Sequence, residues 1–446
     1  MAGRETREDH SSAHVAIATA PVAIVVVDGD RVVRRVHAVP GNGVTIGRTG
    51  EAGVAVGLDD DLVSRQHARV RWSGGLWRVQ DLGSRNGTSA DGGRVAGEAE
   101  VPLAGDGVLR TGRSVILLVR DGRGHEVAPA DEPDRIVGPE LARATSAVAR
   151  AASQPTLLVL GESGSGKEAA ARTYHEAGPR AGGPFVAVNG ATIGASVAER
   201  LLFGARRGAY SGATDATGFV QAASGGTLFL DEVAELDLAV QAKLLRVIET
   251  REVVPLGATS GTVVDVGIVA ATHVDLEARV AAGQFRADLY YRLARPVVVI
   301  PPLRARKADI PRLVERVLAR AGAALRPHPR LVEAACLRPW PGNVRELVSA
   351  LEAAAARAIE AGRDVVRAED LDGGVALGAA PAAPPASPAE PPDVTPNDPE
   401  SPERARVLAA LDAAGGNLSA AARALGLHRT QLYRVMDRLG LRRDPD

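Results

Sequence analysis

At 446 residues and 45% hydrophobic content, the chain has room for roughly two to four domains with cores of their own, which excludes a fibrous or wholly disordered protein. Its formal charge of -1 excludes a uniformly basic surface, so any nucleic-acid contact must sit on a local module. The single cysteine, Cys336, excludes an intrachain disulfide framework and a cysteine-rich zinc site, and reads as a buried small hydrophobe in a reducing compartment. In chain order, residues 1–14 are polar, and Arg4, Glu5, Arg7, Glu8 and Asp9 do not form the charge pattern of a secretory leader. The apolar stretch that follows is broken by Pro21 and stops at Asp28, too short to span a bilayer, so a soluble cytoplasmic protein with no membrane contact is expected. Within residues 15–121, β-rich segments at 22–28, 31–38, 44–47, 68–72, 77–82, 107–110 and 114–119 alternate with turns and predict an all-β sandwich. A linker covers 122–135. Over 136–303, apolar strands at 157–160, 185–188, 227–230 and 266–270 alternate with helical segments, the pattern of a parallel α/β core. Residues 304–374 read as helices only, a small lid. Prolines recur through 375–402 in a composition that cannot bury enough apolar surface to order itself. The last segment, 403–446, predicts a helix at 418–425, a turn at Gly426 and a helix at 428–439, a small all-α helix-turn-helix.

Several groups of residues carry chemistry. Gly161, Glu162, Ser163, Gly164, Ser165, Gly166 and Lys167 lie between an apolar strand and a helix, where backbone N–H groups cradle phosphates and Lys167 reaches the β and γ phosphates of ATP. Glu168 stands where the generic loop has a Ser or Thr for magnesium. Asp231 and Glu232 end a buried strand, one suited to the Mg2+ shell, the other to polarising the attacking water. Arg286 and Arg292 are six residues apart, roughly 600° around an ideal helix, so they cannot share a direction on one straight helix and one should precede it. Asn343, with Glu346 three residues on, reads as a helix cap, which puts Arg345 in a first turn where its charge opposes the dipole and suggests a ligand role.

The run Gly208, Ala209, Tyr210, Ser211, Gly212, Ala213 presents one ring and one hydroxyl between glycines, a contact device at a loop tip. Near the amino end, Arg48 offers a fork to a phosphate, Ser64 and Arg65 add charge-assisted bonds, and Asn86 can hold a peptide backbone, with His67 as buried scaffold. At the carboxyl end, Leu418, Ala422, Leu425, Leu432, Val435 and Leu439 form an inner stripe and leave Arg429, Thr430, Gln431 and Arg434 facing out on a recognition helix. The module is small enough that dimerisation through 403–414 is expected.

The run 208–213 closely resembles the GAFTGA signature of the sigma-54-dependent transcription activators, bacterial AAA+ ATPases, with Tyr210 for Phe and Ser211 for Thr. Glu168 also matches that family. The amino-terminal set resembles the forkhead-associated (FHA) domains, and the carboxyl end resembles the Fis-type DNA-binding domain. The resemblance implies a multidomain chain: an FHA sandwich, an α/β AAA+ P-loop core with helical lid, and a helix-turn-helix domain. It further implies that Asn189 hydrogen-bonds the catalytic Glu232, and that Arg286 and Arg292 act across a subunit boundary. Arg345 would report nucleotide to the lid, and Ile136, Val137, Gly138 and Thr272 would belong to the nucleotide site, with His273 where the family usually has Asn. Ahead of the contact loop, residues 201–207 replace the family's usual acidic and His-Glu residues with Arg206 and Arg207. The partners implied are sigma-54 RNA polymerase holoenzyme, double-stranded DNA upstream of a promoter, other subunits of a hexameric or heptameric ring, and a phosphothreonine protein, a Ser/Thr kinase or its substrate. Control by phosphothreonine rather than phospho-aspartate is expected, since no receiver-like segment precedes the ATPase. Two other readings stay open at this point: a DNA-binding repressor whose ATPase drives oligomerisation without touching sigma-54, and a phosphopeptide scaffold in which nucleotide is structural.

Overall fold

The structure, a computed structural model, describes residues 21–371 apart from 98–99, 104, 124, 126–137, 210–213 and 323, together with Ala410. The chain divides into two units, 1–377 and 378–446, and the second, which holds the expected helix-turn-helix, lies outside the described residues except for Ala410.

The first unit opens with eleven strands: β1 (Val22–Asp28), β2 (Arg31–Ala38), β3 (Val44–Arg48), β4 (Val56–Leu58), β5 (Ala68–Ser73), β6 (Leu76–Asp81), β7 (Thr88–Ala90), β8 (Gly93–Arg94), β9 (Val101–Leu103), β10 (Gly107–Thr111) and β11 (Ser114–Val119). They form two facing sheets, ordered β2-β1-β11-β10-β7-β8 and β4-β3-β5-β6-β9. Alternation along a strand sends successive side chains to opposite faces. Ala23, Val25, Leu109, Ile116 and Leu118 accordingly fill the sandwich interior with Ile46, Val70 and Trp77. Their neighbours Val22, Ile24, Val26, Val108, Val115 and Leu117 face the other way, and they too are buried. A sheet that met water on that side would be polar there. Here the second face packs on the lid.

The α/β core comprises α1 (Pro139–Ala151), β12 (Thr156–Leu160), α2 (Lys167–Ala177), β13 (Phe185–Asn189), α3 (Ala195–Phe203), α4 (Phe219–Ala222), β14 (Thr227–Asp231), α5 (Leu238–Thr250), a hairpin of β15 (Glu252–Val253) and β16 (Thr262–Val263), β17 (Gly267–Thr272), α6 (Leu276–Ala281), α7 (Ala287–Leu293) and β18 (Val297–Val299). Its parallel sheet runs β13-β14-β17-β12-β18. Because β12, β17 and β14 are neighbours and parallel, the loops leaving their carboxyl ends converge, the place where open α/β sheets bind ligands.

The lid contains α8 (Ile310–Ala321), α9 (Pro329–Leu337), α10 (Asn343–Glu360) and α11 (Ala368–Leu371). It is not helical throughout: β19 (Arg326–Pro327) and β20 (Val365–Val366) make a two-residue parallel pair, too short to show a strand period in sequence. Cys336 is fully buried, and burial pushes its thiol up to about 12. Val314, Leu318, Leu331, Val332, Leu347 and Leu351 of the lid share one apolar core with the outer face of the sandwich. At its edge Glu333 of α9 accepts hydrogen bonds from Ser89 (2.8 Å) and Arg110 (2.5 Å) of the sandwich. Within the described residues no helix is long and apolar enough to cross a membrane.

Candidate functional site

The phosphate-type loop leaves β12 and enters α2, whose first-turn N–H groups have no intrahelical acceptor. Lys167 is buried, and its Nζ donates to the Gly161 carbonyl at 3.0 Å. The lid holds the loop from outside. Gly164 has φ +72°, and a Cβ there would lie 2.4 Å from the Gly342 carbonyl oxygen, so only glycine lets the turn before α10 approach so closely. Val344 N donates to the Gly164 carbonyl at 3.1 Å, Arg345 Nη1 to Ser163 Oγ at 3.1 Å, and Arg306 Nη2 to the Ser165 carbonyl at 2.5 Å. Glu162 receives two bonds from Arg304, at 2.6 and 2.7 Å, and one from Asn343; the Arg304 bonds lead in holding its carboxyl down to about 2.

Asn343 does not cap its helix. The cap is Gly342, whose N–H donates to Glu346 Oε2 at 2.7 Å. Asn343 is fully buried with φ +55°; its Oδ1 accepts from Leu303 N at 2.7 Å, and its Nδ2 donates to Glu162 and to the Ser163 carbonyl. It ties lid to loop. Arg304, Arg306 and Asn343 therefore belong to the site, although no local pattern marks them, because their partners lie some 140 to 180 positions away. Glu168 points outward to Arg172 at 2.8 Å, and Gly138 N donates to the buried Asp309 carboxylate. Ile136 and Val137 lie outside the described residues.

Beside the loop, Asp231 ends β14 and Glu232 follows in a left-handed conformation, φ +50°, a strained position for a side chain with a Cβ. Glu232 Oε1 lies 3.5 Å from Lys167 Nζ. Its Oε2 accepts from His273 Nδ1 at 2.8 Å and, more weakly, from Thr272 Oγ1 at 3.4 Å. Burial pushes Glu232 up, but the His273 bond and the Lys167 charge outweigh it, and its pKa falls below the ordinary value. Asp231 moves the opposite way: burial raises it, with Glu232 adding to and Lys167 opposing the shift. Asn189 Oδ1 accepts from Ala191 N at 2.9 Å, capping the turn after β13, so the side chain bonded to Glu232 here is His273. Arg286 stands at the N-cap of α7 and Arg292 within it; they pair with Asp288 (2.7 Å) and Glu249 (3.0 Å), both arginines substantially exposed.

The loop 208–213 springs from a paired stem. Ala205 and Ala216 exchange backbone bonds at 3.0 and 2.9 Å, and Arg206 N donates to the Leu256 carbonyl at 2.9 Å. Gly208 has φ +88°, Arg206 is 3.8 Å from Asp215, and Tyr210, Ser211, Gly212 and Ala213 lie outside the described residues. On the sandwich, a Cβ on Gly47 would sit 2.1 Å from the Arg65 carbonyl oxygen, so glycine brings the loop that carries Ser64 and Arg65 against Arg48. Arg48 is exposed, its guanidinium donating to the Val63 carbonyl at 3.1 Å, while Ser64 Oγ accepts from Arg85 N and exposed Asn86 donates to the Leu62 carbonyl at 2.7 Å. His67 is buried between Ser64 N and the Gly87 carbonyl, as scaffold. Arg429, Thr430, Gln431 and Arg434 lie outside the described residues.

A P-loop on a parallel β13-β14-β17-β12-β18 sheet with a helical lid defines an AAA+ module, here joined to a sandwich of FHA type. Family comparison agrees: the sigma-54 interaction domain matches residues 138–299, the AAA+ ATPase lid domain 304–387, the FHA domain 44–112 and the Fis-family bacterial regulatory domain 399–439. The response regulator protein PilR of Pseudomonas aeruginosa is 41% identical over 339 residues, 74% of each chain. The Nif-specific regulatory proteins of Herbaspirillum seropedicae and Azotobacter vinelandii are 48% and 42% identical, over 45% and 72% of this chain but only 38% and 64% of their own length. The solved structure of NtrX from Brucella abortus in complex with ADP aligns at 31% identity over 69% of this chain and 70% of its own, TM-score 0.48. The chain belongs to the sigma-54-dependent transcriptional activators, with an FHA domain ahead of the AAA+ domain and a Fis-type helix-turn-helix domain after it.

Proposed function

We propose that the protein hydrolyses ATP to remodel the closed complex of sigma-54 RNA polymerase from an upstream DNA site, under the control of a phosphothreonine protein. The observation that carries the reading is the convergence of Lys167, Asp231, Glu232 and the lid residue Arg345 on one phosphate-type loop, in a chain that also carries the contact run 208–213 on the paired Ala205–Ala216 stem. The residues present fit a nucleotide. A Cβ on Gly166 would meet nothing within 4 Å, Lys167 is held by loop carbonyls and Glu232, and the buried Ser165 hydroxyl has no hydrogen-bond partner among the described residues. No cluster of three metal-ligating side chains occurs among the described residues, so Asp231 would hold magnesium together with phosphate oxygens and water. When bound, that ion would screen phosphate charge.

The chain's own residues supply the rest. Lys167 has its charge directed into the phosphate loop. Glu232, kept ionised by its partners, accepts a proton from the attacking water while the bond to the leaving ADP oxygen breaks. Arg286 and Arg292 are exposed and, among the described residues, their guanidinium groups pair with the surface acids Asp288 and Glu249, partners they can exchange for a neighbouring subunit's nucleotide. On the sandwich, Arg48, Ser64, Arg65 and Asn86 present phosphate and backbone donors at one edge. Arg429, Thr430, Gln431 and Arg434 are assigned to the major groove. The test is in vitro transcription with sigma-54 holoenzyme on a template carrying the protein's own site. ATP-dependent open-complex formation is the expected result, and ATP turnover with repression only would replace the reading with that of a repressor.

A further inference from the structure

We propose that His273 is the positioning residue of Glu232, a role the family resemblance gives to Asn189; the inference rests on Glu232 being the base of the hydrolysis reading. Glu232 has two strong fixtures. Lys167 Nζ lies 3.5 Å from one carboxylate oxygen, and the His273 ring meets the other at 2.8 Å. Thr272 Oγ1, at 3.4 Å, is a weak third. The carboxylate accepts only, so the ring must donate through Nδ1–H.

The two fixtures are not equivalent. Lys167 is the cation of the phosphate loop, and nucleotide phosphates compete with Glu232 for its charge. His273 sits outside the loop, just past β17, and its backbone is fixed by the sheet: all six residues of β17 are buried, and Thr272 Oγ1 accepts from Val274 N at 3.1 Å, closing the turn around His273. Its hold on Glu232 therefore survives when Lys167 turns to phosphate. Glu232 needs that hold because its own backbone occupies a left-handed conformation that leaves the side chain without a helix or strand to fix its direction. Asn189 Oδ1 accepts from Ala191 N and its backbone carbonyl accepts from Thr192 Oγ1, which stabilises the turn after β13, and among the described residues its amide N–H groups make no bond to Glu232.

A positioning role predicts a split between binding and turnover. In the full-length protein, His273→Ala should leave the dissociation constant for a non-hydrolysable ATP analogue within about threefold while kcat falls about 10- to 100-fold, the scale of a small misplacement of a reacting group. His273→Asn should restore most of the rate, since its amide can donate to the same oxygen, whereas His273→Leu should not. In a Glu232→Gln background, His273→Ala should cost little further, because the histidine acts only through the carboxylate. A larger loss in Asn189→Ala than in His273→Ala would return the role to Asn189 and overturn the proposal. So would full additivity with Glu232→Gln. A measurement that does not depend on turnover separates this inference from the ATPase reading. Nitrogen-15 histidine NMR should show His273 protonated at Nδ1 in the wild type, and that signature should be lost in Glu232→Ala. A ring protonated only at Nε2 would overturn the contact whether or not the protein hydrolyses ATP.

Discussion

At the scale of single residues, the nucleotide site turns on one carboxylate: Glu232 lies 3.5 Å from Lys167 Nζ and accepts from His273 at 2.8 Å. Lys167, Asp231 and Glu232 are readable in sequence because a glycine loop or a buried strand fixes each at a set place in the chain. Glu232→Gln should bind nucleotide with near-normal affinity yet lose turnover by roughly 100-fold or more, the worth of a general base, as phosphate release will show. Arg48→Ala should weaken binding of a phosphothreonine peptide by about 1.5 to 3 kcal/mol, the scale of a charged hydrogen bond, measurable by calorimetry against the unphosphorylated twin. What the sequence hid was the far end of each contact. Asn343 has the composition of a cap, but a left-handed backbone turns its amide away from its own helix and into the phosphate loop. Arg304 has nothing local to suggest it, since Glu162 lies 142 positions earlier.

Elements were read more completely than residues, for a physical reason: a strand buried on both faces or a helix with one apolar stripe writes its environment into its own period. The parallel strands β12, β13, β14 and β17 and the P-loop helix fall where that pattern puts them. The pieces that escaped are the short ones, β4, β7, β8, β9, β15, β16, β18, β19 and β20, which pair for two or three residues and carry no period of their own. The loop at 208–213 belongs to this scale because its behaviour is set by its stem. The Ala205–Ala216 bridge and the Arg206–Leu256 bond anchor it beside α3 and the β15–β16 hairpin, and it gives no described atom to the nucleotide site. Tyr210→Ala should therefore leave ATP hydrolysis and DNA binding largely intact while abolishing open-complex formation, and Tyr210→Phe should keep activity. Normal transcription by Tyr210→Ala from a sigma-54 promoter would disprove the coupling.

Across the whole first unit, the junction between sandwich, core and lid buries ionisable groups of opposite habit. His125 is buried, and desolvation, aided by Arg34, lowers it to about 4. Its neutral form is the folded one, so its contribution is present above its ordinary value of about 6.5 and is lost as pH falls toward 4. Asp309 is buried beside Arg306, and desolvation raises it to about 6, so the folded state holds its proton longer and stability is lost as pH rises from about 4 to 6. Each shift corresponds to roughly 3 kcal/mol. Relative to wild type, His125→Asn should gain stability on going from pH 7 to pH 4, and Asp309→Asn should gain it in the other direction; urea unfolding at the two pH values checks both. The double-sided burial of β1, β10 and β11 reaches further than stability. A sandwich whose outer sheet faced water would be polar there, and it would match none of the lid's leucines and valines. The FHA domain of this chain therefore cannot be exchanged at a linker: the sandwich and the lid must change surface together, or the transplant leaves an apolar face of the lid bare.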